Sequence, residues 1–173
     1  MFAALIAAGA FMKITIPVQP VEMHVTLQFF FVLLAGFVLG ARGALASVCA
    51  YLAVGLCGFP VFATGGGFLY LLKPTFGFLG GFAAAGFLTG AVYERLRGPA
   101  FWRFLAAAVC GLLADYVCGM LYFYVCSNYV LHVPVGLGVV FVNCFLLTVF
   151  PDFLLCILAA AAARRLIPVL RGI

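Results

Sequence analysis

Six side chains with charged or hydrogen-bonding heads stand out against an otherwise apolar chain: Asp115, Asp152, Lys73, Gln28, Asn143 and Tyr116. An ionised aspartate offers acceptors only and a lysine offers donors only, while Gln28, Asn143 and a tyrosine hydroxyl do both. A few such groups in apolar surroundings suit the capture of a small molecule with separate polar ends. They do not suit hydrolysis. The chain has no G-x-S-x-G nucleophile and no H-E-x-x-H pair, and it lacks the G-x-x-x-x-G-K-[ST] loop needed to hydrolyse ATP by that route. His24 and His132 have no metal-ligand spacing, and the seven cysteines contain no C-x-x-C. The thiols read as small hydrophobes in apolar runs, and neither a metal nor a cofactor is expected.

Charged residues make up 8% of the chain and apolar residues 68%, whereas a soluble domain is roughly a quarter charged and about half apolar. The reading is a single membrane-embedded domain over residues 1–173, an all-α bundle in the lipid bilayer with room for about six helices of roughly 20 residues. No signal peptide is evident ahead of the first apolar run. Helix 1 is expected from Phe2 to Ile14, helix 2 from Thr26 to Leu39 and helix 3 from Ala44 to Leu56, with Gly40–Gly43 as the turn. Helix 4 covers Phe76 to Leu96 and helix 5 Phe101 to Val125, with a break at Gly98-Pro99. Helix 6 runs from Pro151 to Leu166, its proline in a favourable first-turn position, and Gly136 to Val149 reads as a part-helix. The formal charge of +5 is explained by topology rather than nucleic acid. Six spans put Arg42, Arg95, Arg97, Arg103, Arg164, Arg165 and Arg171 on one side, which the positive-inside rule makes cytoplasmic, with both termini inside. The connections Pro17–Val25, Gly58–Thr75 and Ser127–Phe150 then face outward, and long connections in a compact domain tend to be functional.

These elements place the polar groups. Asp115 lies about 21 Å along helix 5 from Phe101 at 1.5 Å per residue, in the outer half of the membrane. A carboxylate there is a functional candidate; its structural alternatives are a pair with Lys73 or a protonated acid bonded to a neighbouring tyrosine, Tyr116 or Tyr122. Asp152 begins helix 6 and either binds a ligand or meets the helix dipole. Lys73 serves a ligand carboxylate or snorkels at the interface. Gly65, Gly66 and Gly67 either bring backbone N–H groups close to an anion or act as a flexible connection. Ala3, Ala4, Ala7, Ala8 and Ala10 give helix 1 a small-residue face that permits close helix contact. Gly77 with Gly81, and Gly86 with Gly90, read as internal packing seams.

Four stretches, Ile16-Pro-Val-Gln-Pro-Val-Glu-Met-His-Val-Thr-Leu-Gln28, Leu33-Leu-Ala-Gly-Phe-Val-Leu-Gly40, Gly55-Leu-Cys-Gly-Phe-Pro-Val-Phe-Ala-Thr-Gly-Gly-Gly67 and Pro74-Thr-Phe-Gly-Phe-Leu-Gly-Gly-Phe82, carry a resemblance to a known family. By these the chain resembles the BioY family of biotin transporters. The resemblance implies a six-transmembrane-helix substrate-binding S-component of an energy-coupling-factor (ECF) transporter in a prokaryotic cell membrane. It further implies biotin capture from outside, a T-component and two ATP-binding subunits as partners, and the helix 1 alanines as the T-component surface. The family's helix 6 pattern of Asp followed three positions later by Lys is met by Asp152, but Leu155 stands where the lysine belongs. Lys73 is then the candidate partner for the biotin carboxylate. Transport of another small vitamin, or solitary or ion-coupled biotin transport using Asp115 and Asp152 as relays, are the other readings.

Overall fold

The structure is a computed structural model that describes residues 1–16, 23–96 and 100–171. Pro17, Pro20, Glu22, Arg97, Gly98 and Pro99 lie outside the described residues, as do the side chains of His24 and Arg171. Helix α1 spans Phe2–Phe11. Strands β1, Lys13–Ile16, and β2, Met23–Thr26, pair antiparallel with Lys13 opposite Thr26 and Ile16 opposite Met23. Helix 1 therefore stops short of Ile14, and the expected all-α bundle carries one small sheet. The cause is local: Ile14, Thr15 and Ile16 are consecutive β-branched residues, which favour extended backbone.

Helix α2, Gln28–Leu56, is broken at Gly40, whose φ of 74° and ψ of 179° lie outside the helical region. The two halves fold back on one another. In a continuous helix Gln28 and Tyr51 would stand about 35 Å apart at 1.5 Å per residue; instead the Gln28 carboxamide donates to the Tyr51 hydroxyl. Gly40 is the turn, as expected, and only glycine reaches that φ without steric cost. A 3₁₀ turn, Phe68–Leu72, leads into α3, Phe76–Arg95, and then α4, Ala100–Val125. A π-helical turn, Cys126–Val130, extends α4.

Helix α5, Leu137–Phe141, passes through a second π-helical turn, Val142–Leu146, into α6, Val149–Arg171. The last helix therefore starts before Pro151. The segment before it is helical and joined to it, since the Asp152 amide donates to the Thr148 carbonyl. Among the described residues, four segments are long and apolar enough to cross a membrane: Gln28–Leu56, Phe76–Arg95, Phe101–Val130 and Leu137–Val169. Helix α1, with 10 residues, extends about 15 Å, half of a hydrocarbon core about 30 Å thick.

The core is built on close approaches at glycines of α3. A Cβ on Gly77 would lie 2.4 Å from Tyr122 Cβ, and one on Gly81 would lie 2.3 Å from Asp115 Oδ1, so these two positions seat α4. Gly86 meets Ala44 and Val32, and Gly90 meets Gly40 and Ala41, so the second pair seats both halves of α2. Both seams are internal. At the same end as Gly40, Arg103 donates through Nε and Nη2 to the Tyr93 carbonyl at 2.8 and 2.6 Å and lies over the Tyr93 ring. Arg42 and Arg95 share a groove there with Glu94, so three of the arginines gather at the Gly40 end.

Candidate binding site

At the opposite end of the bundle a cavity lies between β2, α2, the Gly-rich connection, α3, α4 and α6. Phe29, Phe78, Leu79 and Phe82 make its apolar wall. Helix geometry brings these together, because Phe78, Leu79 and Phe82 fall within one turn of α3 and Phe29 opens α2 across from them, with Phe29 and Phe82 ring centroids 6.1 Å apart.

Asp152 and Tyr116 form the polar wall. The Tyr116 O–H donates to Asp152 Oδ2 at 2.7 Å, and the Tyr116 oxygen lies 3.1 Å from Thr148 Oγ1. The Thr148 hydroxyl donates to the Cys144 carbonyl at 2.7 Å. Tyr116 and Thr148 are buried, so this chain of hydroxyls holds the carboxylate in one orientation. Asp115, adjacent on α4, also lines the cavity. It is only 4% exposed, and its Oδ1 has no hydrogen-bond partner among the described residues.

Gln28 lines the cavity from α2 and is 1% exposed. Thr26 Oγ1 donates to its Oε1 at 3.2 Å, its Nε2 donates to Tyr51, and the Tyr51 hydroxyl contacts the Val61 carbonyl at 3.3 Å. This relay ties β2, both halves of α2 and the Gly58–Thr75 connection into one wall. Asp152, Asp115, Gln28 and Tyr116 thus converge from three helices, as the rarity of polar groups in these helices suggested.

The other expected residues fall elsewhere. Lys73 is exposed; its Nζ donates to Thr64 Oγ1 at 2.9 Å and lies 4.6 Å from the Tyr70 ring centroid. Tyr70 lines the cavity, so Lys73 stands behind that ring at the mouth. The Lys73–Asp115 pair is not formed, because Lys73 is engaged with Thr64. Gly66 is packed against the Phe59 carbonyl, 2.0 Å from where a Cβ would stand. The N–H groups of Gly65 and Gly67 donate to the Phe62 and Gly55 carbonyls. The glycine run closes a tight turn and does not line the cavity. Asn143 is buried in the Val142–Leu146 turn, away from the cavity lining. Tyr122 donates to the Leu71 carbonyl and anchors α4 to the 3₁₀ turn.

Several contributors escaped the sequence, the apolar wall and Thr26 among them. Thr148 stands four residues before Asp152, a spacing that shares a helix face and was readable. Tyr70 and Thr75 lie in an irregular connection with no periodicity to mark them. Lys13 donates to the carbonyl of Ala63, itself a lining residue. Both lysines of the chain therefore sit at the mouth, around residues 63 and 64.

The sequence and the fold are similar to those of known proteins. The BioY family model matches residues 1–172. A probable biotin transporter BioY of Lysinibacillus sphaericus is 42% identical over 172 residues, 99% of this chain and 86% of that protein. The biotin transporter BioY of Thermotoga maritima is 41% identical over 109 residues, 62% of this chain and 61% of that protein. The crystal structure of the S-component for biotin from an ECF-type ABC transporter superposes with a TM-score of 0.80 at 25% identity, covering 95% of this chain and 86% of that one. With its fold matched along almost the whole backbone and its sequence along almost the whole length, the chain belongs to the BioY family.

Proposed function

We propose that this chain is a biotin uptake protein: the substrate-binding S-component that captures biotin in the cavity beside Asp152 and delivers it across the membrane. The observation that carries this reading is the pairing of a held carboxylate with an aromatic wall. A ureido ring presents two N–H donors, and Asp152 accepts. The apolar bicycle packs on Phe29, Phe78 and Phe82, and Gln28 and Tyr116 fix the ring's orientation. The aliphatic tail then points toward the mouth, where Lys13 and Lys73 offer positive charge to its carboxylate in place of a helix 6 lysine. The relatives described as biotin transporters and the structural neighbour described as a biotin S-component support the same substrate. The test is calorimetry on the purified chain without any ATPase. Saturable biotin binding is expected, because polar pairs in a dry cavity are strong; saturation by another vitamin and not by biotin would reassign the substrate.

The proposed topology has six crossings, with residues 28–39 and 41–56 counted as two short ones and α1 as a third, in a prokaryotic cell membrane. The arginines at the Gly40 end support a cytoplasmic side for that end and for both termini, with the cavity on the outer side. Uphill transport needs partners, since the chain carries no ATP-binding loop; a T-component and two ATP-binding subunits fill that role.

The T-component surface is the outward part of α1. Ala4 and Ala8 are exposed one turn apart, Ala3 and Ala7 are half-buried beside them, and Ala10 is buried in the bundle. Replacing Ala4 and Ala8 together with Leu is expected to abolish co-purification with a T-component while biotin binding survives, since close packing is the main attraction between helices in lipid. Loss of biotin binding and thermal stability together would mean that this face packs inside the bundle.

A further inference from the structure

We propose that Asp115 keeps its proton in the working protein and uses it to donate a hydrogen bond to the ligand, so that the cavity recognises an acceptor with a carboxyl group where a cation would otherwise serve. The donor role rests on the biotin reading of this cavity; the retained proton does not.

Two observations carry it. The first is the state of the side chain: Asp115 is 4% exposed, lines the cavity, and leaves Oδ1 without a partner among the described residues. A charged carboxylate left in that condition is among the costliest groups a membrane protein can bury. The second is what surrounds it. Helix α3 presents Gly81, Phe78, Leu79 and Phe82, none of them titratable, and α2 presents Phe29 and Gln28. Helix α4 itself adds Tyr116, and the 3₁₀ turn adds Tyr70. Helix α6 adds Asp152, a second carboxylate. No lysine, arginine or histidine is among the described lining residues. Two carboxylates sharing an apolar site without a cation do not both ionise. Asp152 already receives the Tyr116 O–H, which favours charge on Asp152 and leaves the proton to Asp115.

The count of donors gives that proton a use. Among the lining donors Tyr116 is committed to Asp152, Thr148 to Cys144 and Thr26 to Gln28, which leaves Tyr70, Thr75, one N–H of Gln28 and, beside Asp152 on the same wall, a protonated Asp115. Asp152 supplies acceptors for N–H groups, and a carbonyl on the same ring needs a donor. The protonated Asp115 supplies one from the same wall.

The sign of the pH effect follows. Binding needs the proton on Asp115 and the charge on Asp152, so affinity holds near neutral pH, falls as alkaline pH removes the first, and falls as acid pH neutralises the second. The experiment compares the parent with Asp115→Asn, a neutral isostere that keeps a donor, and with Asp115→Leu, which keeps none. Infrared difference spectroscopy of parent against Asp115→Asn, without ligand, reads the carboxyl C=O band at neutral pH. Biotin titrations across pH read the donor. The expected results are a protonated-carboxyl band lost in Asp115→Asn, near-parent affinity in Asp115→Asn without the alkaline fall, and about a tenfold loss in Asp115→Leu, a typical cost of one buried hydrogen bond. Absence of the band overturns the proposal whatever the ligand. Equal losses in the two variants, with the band present, overturn the donor role. A parent that shows the band but does not bind biotin overturns the substrate reading and leaves the proton in place.

Discussion

Asp152→Asn is expected to weaken biotin binding about thirtyfold, the equivalent of about 2 kcal/mol, while the unliganded protein keeps its thermal stability. The substitution preserves size and shape, so the Tyr116 and Thr148 hydroxyls keep a neighbour of the same form. What it removes is charge. A hydrogen bond to an ionised acceptor is roughly twice as strong as one between neutral groups, and the low-dielectric cavity enlarges that difference. The amide also turns one acceptor into a donor, which faces the ureido N–H groups with the wrong polarity. The competing account, a first-turn acid that only answers the helix dipole, predicts the reverse pattern of unchanged affinity and a lower melting temperature. That account has little structural support. The helical path from Leu137 runs into α6, and the Asp152 amide is already bonded to Thr148, so no free helix end is left for the carboxylate to meet. Equilibrium titration beside a thermal melt on the same variant separates the two, and parent-like affinity would remove Asp152 from the site.

Much of this cavity was readable because polar groups are scarce. In helices this apolar, Asp115, Gln28, Tyr116 and Asp152 have few places to go except inward, and the structure gathers all four. The α3 glycines were readable for a related reason, since a four-residue spacing of Cβ-less positions is a seat for a neighbouring helix. Residues whose position depends on the path of a connection were not readable. Lys73 and Gly66 lie in the stretch after α2, where no periodicity links sequence to direction, and Lys13 reaches the mouth only because its segment is a strand. The strand itself was hidden by composition: three β-branched residues are a short signal beside a long apolar run, and their partner lies beyond a Pro-rich segment. Asn143 failed differently. Its place in the short apolar segment before the last helix suggests the pocket, but it sits in a π-helical turn, where i→i+5 hydrogen bonding changes the phase of the helix, and it is not among the lining residues.

Gly90→Ala is expected to destabilise the fold by about 3 kcal/mol, at the upper end of the cost of overpacking, and to lower biotin affinity with it. A Cβ at Gly90 would lie 2.4 Å from Ala41 N, 2.6 Å from the Gly40 carbonyl carbon and 2.7 Å from Ala41 Cα. All three are backbone atoms, so no side chain can rotate away. They also belong to the turn in which Gly40 holds a φ of 74°, backbone that cannot shift without opening the α2 hairpin. Relief therefore comes from moving α3 as a body. That movement strains the Phe37, Tyr93 and Phe104 rings, whose centroids lie 4.6 to 5.6 Å apart, and separates Gly36 from the Gly86 carbonyl. It also displaces Phe78, Leu79 and Phe82, the α3 part of the cavity wall, which is why affinity falls with stability although Gly90 does not line the cavity. Gly80→Ala on the same helix is the control: a Cβ there meets nothing within 4 Å, and alanine favours helix by roughly 1 kcal/mol over glycine. Thermal melts and biotin titrations of the two variants should diverge, with Gly80→Ala at or slightly above the parent and Gly90→Ala well below it. If both behave like the parent, α3 does not approach the hairpin as closely as these distances require, and the packing that links the Gly40 end to the cavity is wrong.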